Sequence, residues 1–163
     1  MPTYEFAVEL TVGDNTAFTV RGALRGLGYE DLERVERSEL FWLQLPDDGL
    51  TAERCGDALT HAEVVFNPNK HRLAREAKPE TDIYEAVVTD VDDDSTALAE
   101  LLRDRFGIAG LEGVTRATAW RLYDKSGNPA DAKRLEWACG SLLANKFSQS
   151  FTVRRAPTRI EVK

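Results

Sequence analysis

Two cysteines, two histidines and a run of three aspartates are the side chains of this sequence best suited to chemistry. Cys55 and Cys139 have the type of a thiolate nucleophile or a soft metal ligand. Either role needs a partner at a fixed spacing, a histidine to take the proton or further Cys and His to complete a coordination shell. Neither cysteine has one. Each is followed by glycine and falls on an apolar stripe of helical period, so both read as small buried hydrophobes. His61 and His71 have no counterparts in the second half of the chain and read as loop or helix-end residues. Asp92, Asp93 and Asp94 have the chemistry to hold a divalent cation. They also precede a helix, where carboxylates complement the helix dipole, and that is the simpler reading. The glycines of "RGALRGLGY" (21–29) match neither phosphate-binding spacing and read as close packing of a helix onto a sheet. Trp42, Trp120 and Trp137 are not spaced as a base-stacking platform. Trp42 lies on the strand face opposite Phe41 and marks a contact surface. No nucleophile–base pair, carboxylate pair or nucleotide loop remains.

The composition sets further bounds. With 163 residues, 42% of them hydrophobic and 30% charged, the chain reads as a soluble globular protein of one domain or two very small ones. A half of about 80 residues is near the margin of independent stability. The net charge of −7 excludes a nucleic-acid backbone as the main partner, since phosphate binding needs a basic stripe. No apolar run spans a membrane, and "MPTYEFAVEL" lacks the basic and apolar regions of a signal peptide. Two cysteines suit a reducing compartment. The expectation is a cytoplasmic protein.

The strongest signal is internal. "LERVER" (32–37) returns as "LEGVTR" (111–116), 111 − 32 = 79 positions later. "YEFAVEL" (4–10) meets "YEAVVTD" (84–90) at an offset of 80, Gly28 meets Gly107 at 79, and "FWL" (41–43) meets "WRL" (120–122) at 79. "CGDAL" (55–59) meets "CGSLL" (139–143) at 84, so one small insertion, in "DKSGNPAD" against "PDDGLT", explains the whole register. Matches in the same order point to a tandem duplication.

Each copy reads as β-α-β-α-β. Tyr4, Phe6, Val8 and Leu10 alternate with Glu5, Ala7 and Glu9 in an opening strand. A helix capped by Asp14 or Asn15 carries Ala17, Val20, Leu24 and Leu27, and Gly28 closes it in the left-handed conformation. In the second copy Asp94 or Ser95 starts the helix, with Leu98, Leu102 and Phe106 as its stripe and Gly107 as its stop. The long strand that follows buries Val35, Phe41, Leu43 and Leu45 in one copy, and Val114, Trp120 and Leu122 in the other. The last helix is capped by Asn128 with Pro129 at its first position. It buries Leu135, Cys139, Leu142 and Leu143, and Asn145 stops it. "EVVF" (63–66) and "SFTV" (150–153) read as the closing strands, and the polar stretch 71–82 with Pro79 as a linker between repeats 1–78 and 79–163. The fold class is α+β with ferredoxin-like character: two repeats paired within one chain, their antiparallel sheet covered by helices.

These blocks resemble one family, PurS, the small accessory subunit of phosphoribosylformylglycinamidine synthase. "GALRGLGYEDLERVER" (22–37) carries the resemblance through Ala23, Leu24, Leu27, Gly28, Tyr29, Val35 and Arg37. "CGSLLANKFSQSF" (139–151) carries it through Leu142, Leu143, Ala144 and Asn145. The two copies together cover nearly the whole chain, and PurS subunits are about half its length. The resemblance implies a non-catalytic bridging subunit of a purine-biosynthetic carbon–nitrogen ligase. It implies a PurQ-like glutaminase and a PurL-like synthetase as partners, no cofactor on this chain, and ATP, Mg and glutamine used by the complex. A pair of fused chains is a further partner it allows. Arg37, Trp42, Arg116, Arg121, Asn145 and Lys146 are the candidate interface residues. The competing reading is a ferredoxin-like regulatory domain binding a small metabolite between the repeats.

Overall fold

Turn and strand chemistry divide the chain into five strands and four helices, and the computed structural model describes all of residues 1–163. In order they are β1 (Thr3–Leu10), α1 (Asn15–Gly26), β2 (Leu32–Gln44), α2 (Ala52–Leu59), β3 (His71–Asp90), α3 (Thr96–Asp104), β4 (Gly113–Asp124), α4 (Ala132–Ala138) and β5 (Gln149–Glu161). A π-helical turn, Cys139–Leu143, continues α4. Asp14 caps α1 by accepting from the Ala17 N–H, and Gly28 follows that helix at φ 116°, a conformation that favours glycine. Thr51 and Asp131 cap α2 and α4 in the same way.

All strand pairs are antiparallel. β1 pairs with β2, β2 with β4, β4 with β3, and β3 with β1, which closes a ring. β5 pairs with β3 alone. Phe6 sits opposite Phe41, and Ala86 opposite Trp120, at offsets of 86 − 6 = 80 and 120 − 41 = 79. Phe6 also faces Arg75, and Ala86 faces Val153, where 153 − 75 = 78. In the central β2/β4 ladder Glu39 lies opposite Thr118, flanked by Ser38–Ala119 and Leu40–Ala117. Since 118 − 39 = 79, the ladder maps onto itself by a half-turn about that pair.

The helices pack outside the ring in two cores. One joins Phe6, Phe41, Leu43, Cys55, Leu59 and Leu73 to Ala99 and Leu102 of α3, with Ile108 and Leu111 beyond it. The other joins Leu24 of α1, Tyr29 and Leu32 to Val88, Trp120, Leu122, Leu135 and Cys139. Each half of the chain therefore lends a helix to the core of the other half. A four-membered ring is narrow, and its centre is filled by the small set Ala7, Leu40, Val87 and Ala119.

Several expectations are corrected. Residues 71–82 are not a linker but part of the 20-residue β3, so the boundary at 78/79 falls inside a strand. Their polarity has a physical reason. The β3/β5 register shifts between Ala77 and Glu80 and again between Glu80 and Tyr84, and these irregular residues need not alternate. "EVVF" forms no strand: Val65 and Phe66 donate back to the Ala62 carbonyl, placing Phe66 in the core and leaving Val64 exposed. Such a short apolar run has no periodicity to separate strand from turn. Leu27 and Leu142 leave their predicted stripes for solvent. Asp131, not Asn128, caps α4, while Pro129 bridges to Tyr123. Gly22 and Gly26 have open space where a Cβ would stand, so close packing does not account for them. The face of β1 carrying Glu5 and Ala7 is buried within the ring.

The exchanged helices generate a prediction. Residues 1–78 alone would lack Ala99, Leu102, Ile108 and Leu111, and the three larger side chains each contribute about 1.5–3 kcal/mol when buried. That fragment is expected to show no cooperative thermal transition by circular dichroism. A sharp transition would mean that the first half completes its own core.

Candidate functional site

The chemistry inside the ring begins with two carboxylates on adjoining strands. Glu5 of β1 and Glu85 of β3 are 1% and 0% exposed. A bare carboxylate so placed is costly, so each must be paired and hydrogen-bonded. β5 supplies most of what they need. Arg154 donates from Nη1 and Nη2 to the two Glu5 oxygens at 2.8 and 2.9 Å, and from Nε and Nη2 to Glu85 Oε2 at 3.0 and 2.7 Å. Arg159 grips Glu85 through both oxygens at 3.1 and 3.0 Å. Arg121 of β4 donates to Glu85 Oε1 at 3.1 Å, and the Trp42 indole N–H to Glu5 Oε1 at 2.8 Å.

The cluster therefore draws on all five strands, and no buried side-chain polar atom is left without a partner. Glu5 and Glu85 stand 80 positions apart, Trp42 and Arg121 79 apart, so matching carboxylates take matching donors from β2 and β4. Burial pushes the Glu85 carboxyl up, but Arg159 and Arg154 outweigh it and hold the group below its ordinary value. Burial likewise works against the Arg154 cation and is outweighed by Glu5 and Glu85, so its pKa is raised. A cavity of about 430 Å³ opens beside the cluster, with Glu5, Arg75, Glu76, Lys78, Arg154 and Arg155 among its lining. Glu76 is pushed up there, first by burial and then by the neighbouring charge of Glu5.

A second pair of contacts fastens the helices outside. Arg37 donates to Asp14 at 2.9 Å, and Arg116 to Asp93 at 3.3 Å. Both acids and both arginines are 79 positions apart (93 − 14 and 116 − 37). The arginine that ends each copy of the repeated hexapeptide thus ties the start of a helix to the central ladder. Asp93 also accepts from the Ser95 hydroxyl, and Asp94 accepts from the Thr96 N–H.

Of the six candidate interface residues, Arg37, Trp42, Arg116 and Arg121 are engaged in these internal contacts. Asn145 and Lys146 are exposed in the turn before β5; the Asn145 side chain accepts from the Phe147 N–H. Cys55 and Cys139 are fully buried free thiols, pushed up by burial to about 11, where thiolate nucleophilicity is lost at neutral pH. His61 lies exposed just past α2, and His71 opens β3 with its Nδ1 accepting from the Asn67 N–H. No group of three or more His, Cys, Asp or Glu is arranged to hold a metal ion. No helix is long and apolar enough to cross a membrane. Reading the sequence did not find the Glu5–Glu85–Arg154–Arg159 cluster. The available signal was Glu5 and Glu85 at matching places in the repeated stretches "YEFAVEL" (4–10) and "YEAVVTD" (84–90).

No protein-family model matches the chain, and no curated protein matches it in sequence.

What the cluster can do is hold strands together, and its pH dependence follows. Because the folded Glu85 pKa lies below the ordinary 4.5, its contribution to stability is complete above that pH and is lost as pH falls through the folded value. Glu85→Gln is expected to destabilise the chain by about 3–5 kcal/mol at pH 7, since it leaves buried arginines under-compensated. It should also flatten the loss of stability below pH 4.5. Denaturant titrations of both chains at pH 7 and pH 3.5 check this. A neutral-pH loss below about 1 kcal/mol would contradict it.

Proposed function

We propose that this chain is a fused pair of PurS-like units, the non-catalytic accessory subunit of a phosphoribosylformylglycinamidine synthase complex. In that role it bridges a PurQ-like glutaminase and a PurL-like synthetase in purine biosynthesis and assists the passage of ammonia between them. The observation that carries the reading is the recurrence of strand register and ion pairs at offsets of 78 to 80 about the Glu39–Thr118 pair. That is the arrangement expected of two half-length subunits joined end to end, and it accompanies the PurS-like blocks in both halves.

The chemistry of the side chains supports the same role. The buried carboxylates and arginines satisfy one another, and the two thiols are buried. Ammonia released into water is protonated and unreactive, so two active sites must be held together with solvent excluded. A rigid body with two matched faces serves that purpose without reacting groups of its own.

A second reading, a regulatory domain that binds a small metabolite, is favoured by the cavity of about 430 Å³, whose lining comes from both halves of the chain. Its lining is mixed in charge, with Arg75, Lys78, Arg154 and Arg155 beside Glu5, Glu76 and Glu80.

Reconstitution from three purified proteins separates the two readings. Synthetase alone should turn over with high concentrations of free ammonia, and glutamine-dependent turnover should appear only when this chain joins synthetase and glutaminase. Efficient glutamine-dependent turnover without this chain would reject the bridging role. A metabolite that raises the melting temperature of the isolated chain, with no partner retained in a pull-down, would favour the regulator.

A further inference from the structure

β5 is the strand of this fold with one edge uncovered. It runs for 13 residues, Gln149–Glu161, and pairs with β3 alone. A long open edge presents unpaired N–H and C=O groups to any other strand, and proteins usually blunt it with lysine, proline or a bulge. Between Gln149 and Arg155 none of these occurs; Pro157 and the register shifts lie beyond. Arg154, which would repel a partner at the edge, is turned inward onto Glu5 and Glu85. Large apolar side chains stand exposed nearby: Phe151 on β5 at 40%, Phe147 in the turn before it at 87%, and Val91, whose N–H donates to the Ser148 carbonyl, at 65%.

We propose that this edge is the joint between two copies of the chain, paired antiparallel about a two-fold axis at Thr152. The residues suit a second copy of the same strand in this register. With Thr152 opposite Thr152 of the second copy, residues whose numbers sum to 304 face each other. Phe151 then meets Val153 twice, an aromatic–β-branched pair of the kind that stabilises sheets. Ser150 meets Arg154, Gln149 meets Arg155, and no like charges are opposed. Centring the pair at Arg154 instead would set two arginines against each other and Phe151 against Pro157. In the Thr152 register the edge thus meets itself with apolar residues paired and no like charges opposed. Main-chain hydrogen bonds supply the affinity, as in other strand additions. The joint stands apart from the proposed bridging role: each chain already contains two repeats, and this contact would pair whole chains.

Sedimentation equilibrium of the full chain tests it. At concentrations up to about 100 μM the wild type should reach twice the mass of one chain. Thr152→Lys places like charges on the axis at an exposed position, so it should keep the wild-type circular dichroism and melting temperature while weakening dimerisation at least about tenfold. Thr152→Glu should do the same, and an equimolar mixture of the two variants should restore the dimer. A wild type that stays at the mass of one chain overturns the proposal. So does a folded Thr152→Lys chain that dimerises as tightly as wild type, or a mixture no tighter than either variant alone.

Discussion

Arg154 holds two buried carboxylates at once, and the rest of the structure is arranged around that fact. Glu5 belongs to the first strand and Glu85 to the third, yet one guanidinium from the last strand contacts both. Burying ions costs several kcal/mol each, so such a cluster persists only with close geometry and every hydrogen bond made. Arg159, Arg121 and Trp42 complete it. The consequence is topological. The chain cannot satisfy either carboxylate until β5, its final strand, has docked on β3. Formation of the ring is thereby linked to the C-terminal end of the sequence.

The apolar packing follows the same logic of exchange. Leu24 of the first half shares a core with Leu135 and Cys139 of the second, while Leu102 of the second shares one with Leu59 and Leu73 of the first. Halves of about 80 residues are marginal alone, and each gains a helix by sharing. The Asp14–Arg37 and Asp93–Arg116 pairs then fix where the shared helices begin. Partly exposed pairs of this kind contribute little stability individually. Their effect is to set position, which a bridging subunit presenting two faces to two partners would need.

Much of the fold was legible in the sequence because helix chemistry is local. Asp14, Gly28 and Gly107 mark helix ends through capping and left-handed backbone, and the Phe41/Leu43/Leu45 alternation marks a buried strand face. What could not be read was long-range. The polar stretch 71–82 resembles a linker because its residues serve an irregular crossing of β3 and β5 rather than one regular face. The candidate residues Arg37, Trp42, Arg116 and Arg121 were picked out by type and recurrence. Whether such a side chain meets a partner protein or a carboxylate of its own chain is decided by residues 23 to 37 positions away. Closure of the ring, which turns the Glu5 face of β1 from an outer surface into an interior, has no signature in any single strand.

The proposed PurS-like role carries one physical requirement: the two halves of the chain must act as a single body, because a bridge that opens between its halves would not hold two enzymes in register. Native-state hydrogen exchange measures this most directly. The slowest amides of β1, around Ala7, and of β4, around Ala119, are expected to exchange with the same free energy of opening and the same denaturant dependence, both equal to those of global unfolding. Two distinct opening free energies, one for each repeat, would contradict the claim that the halves share one core.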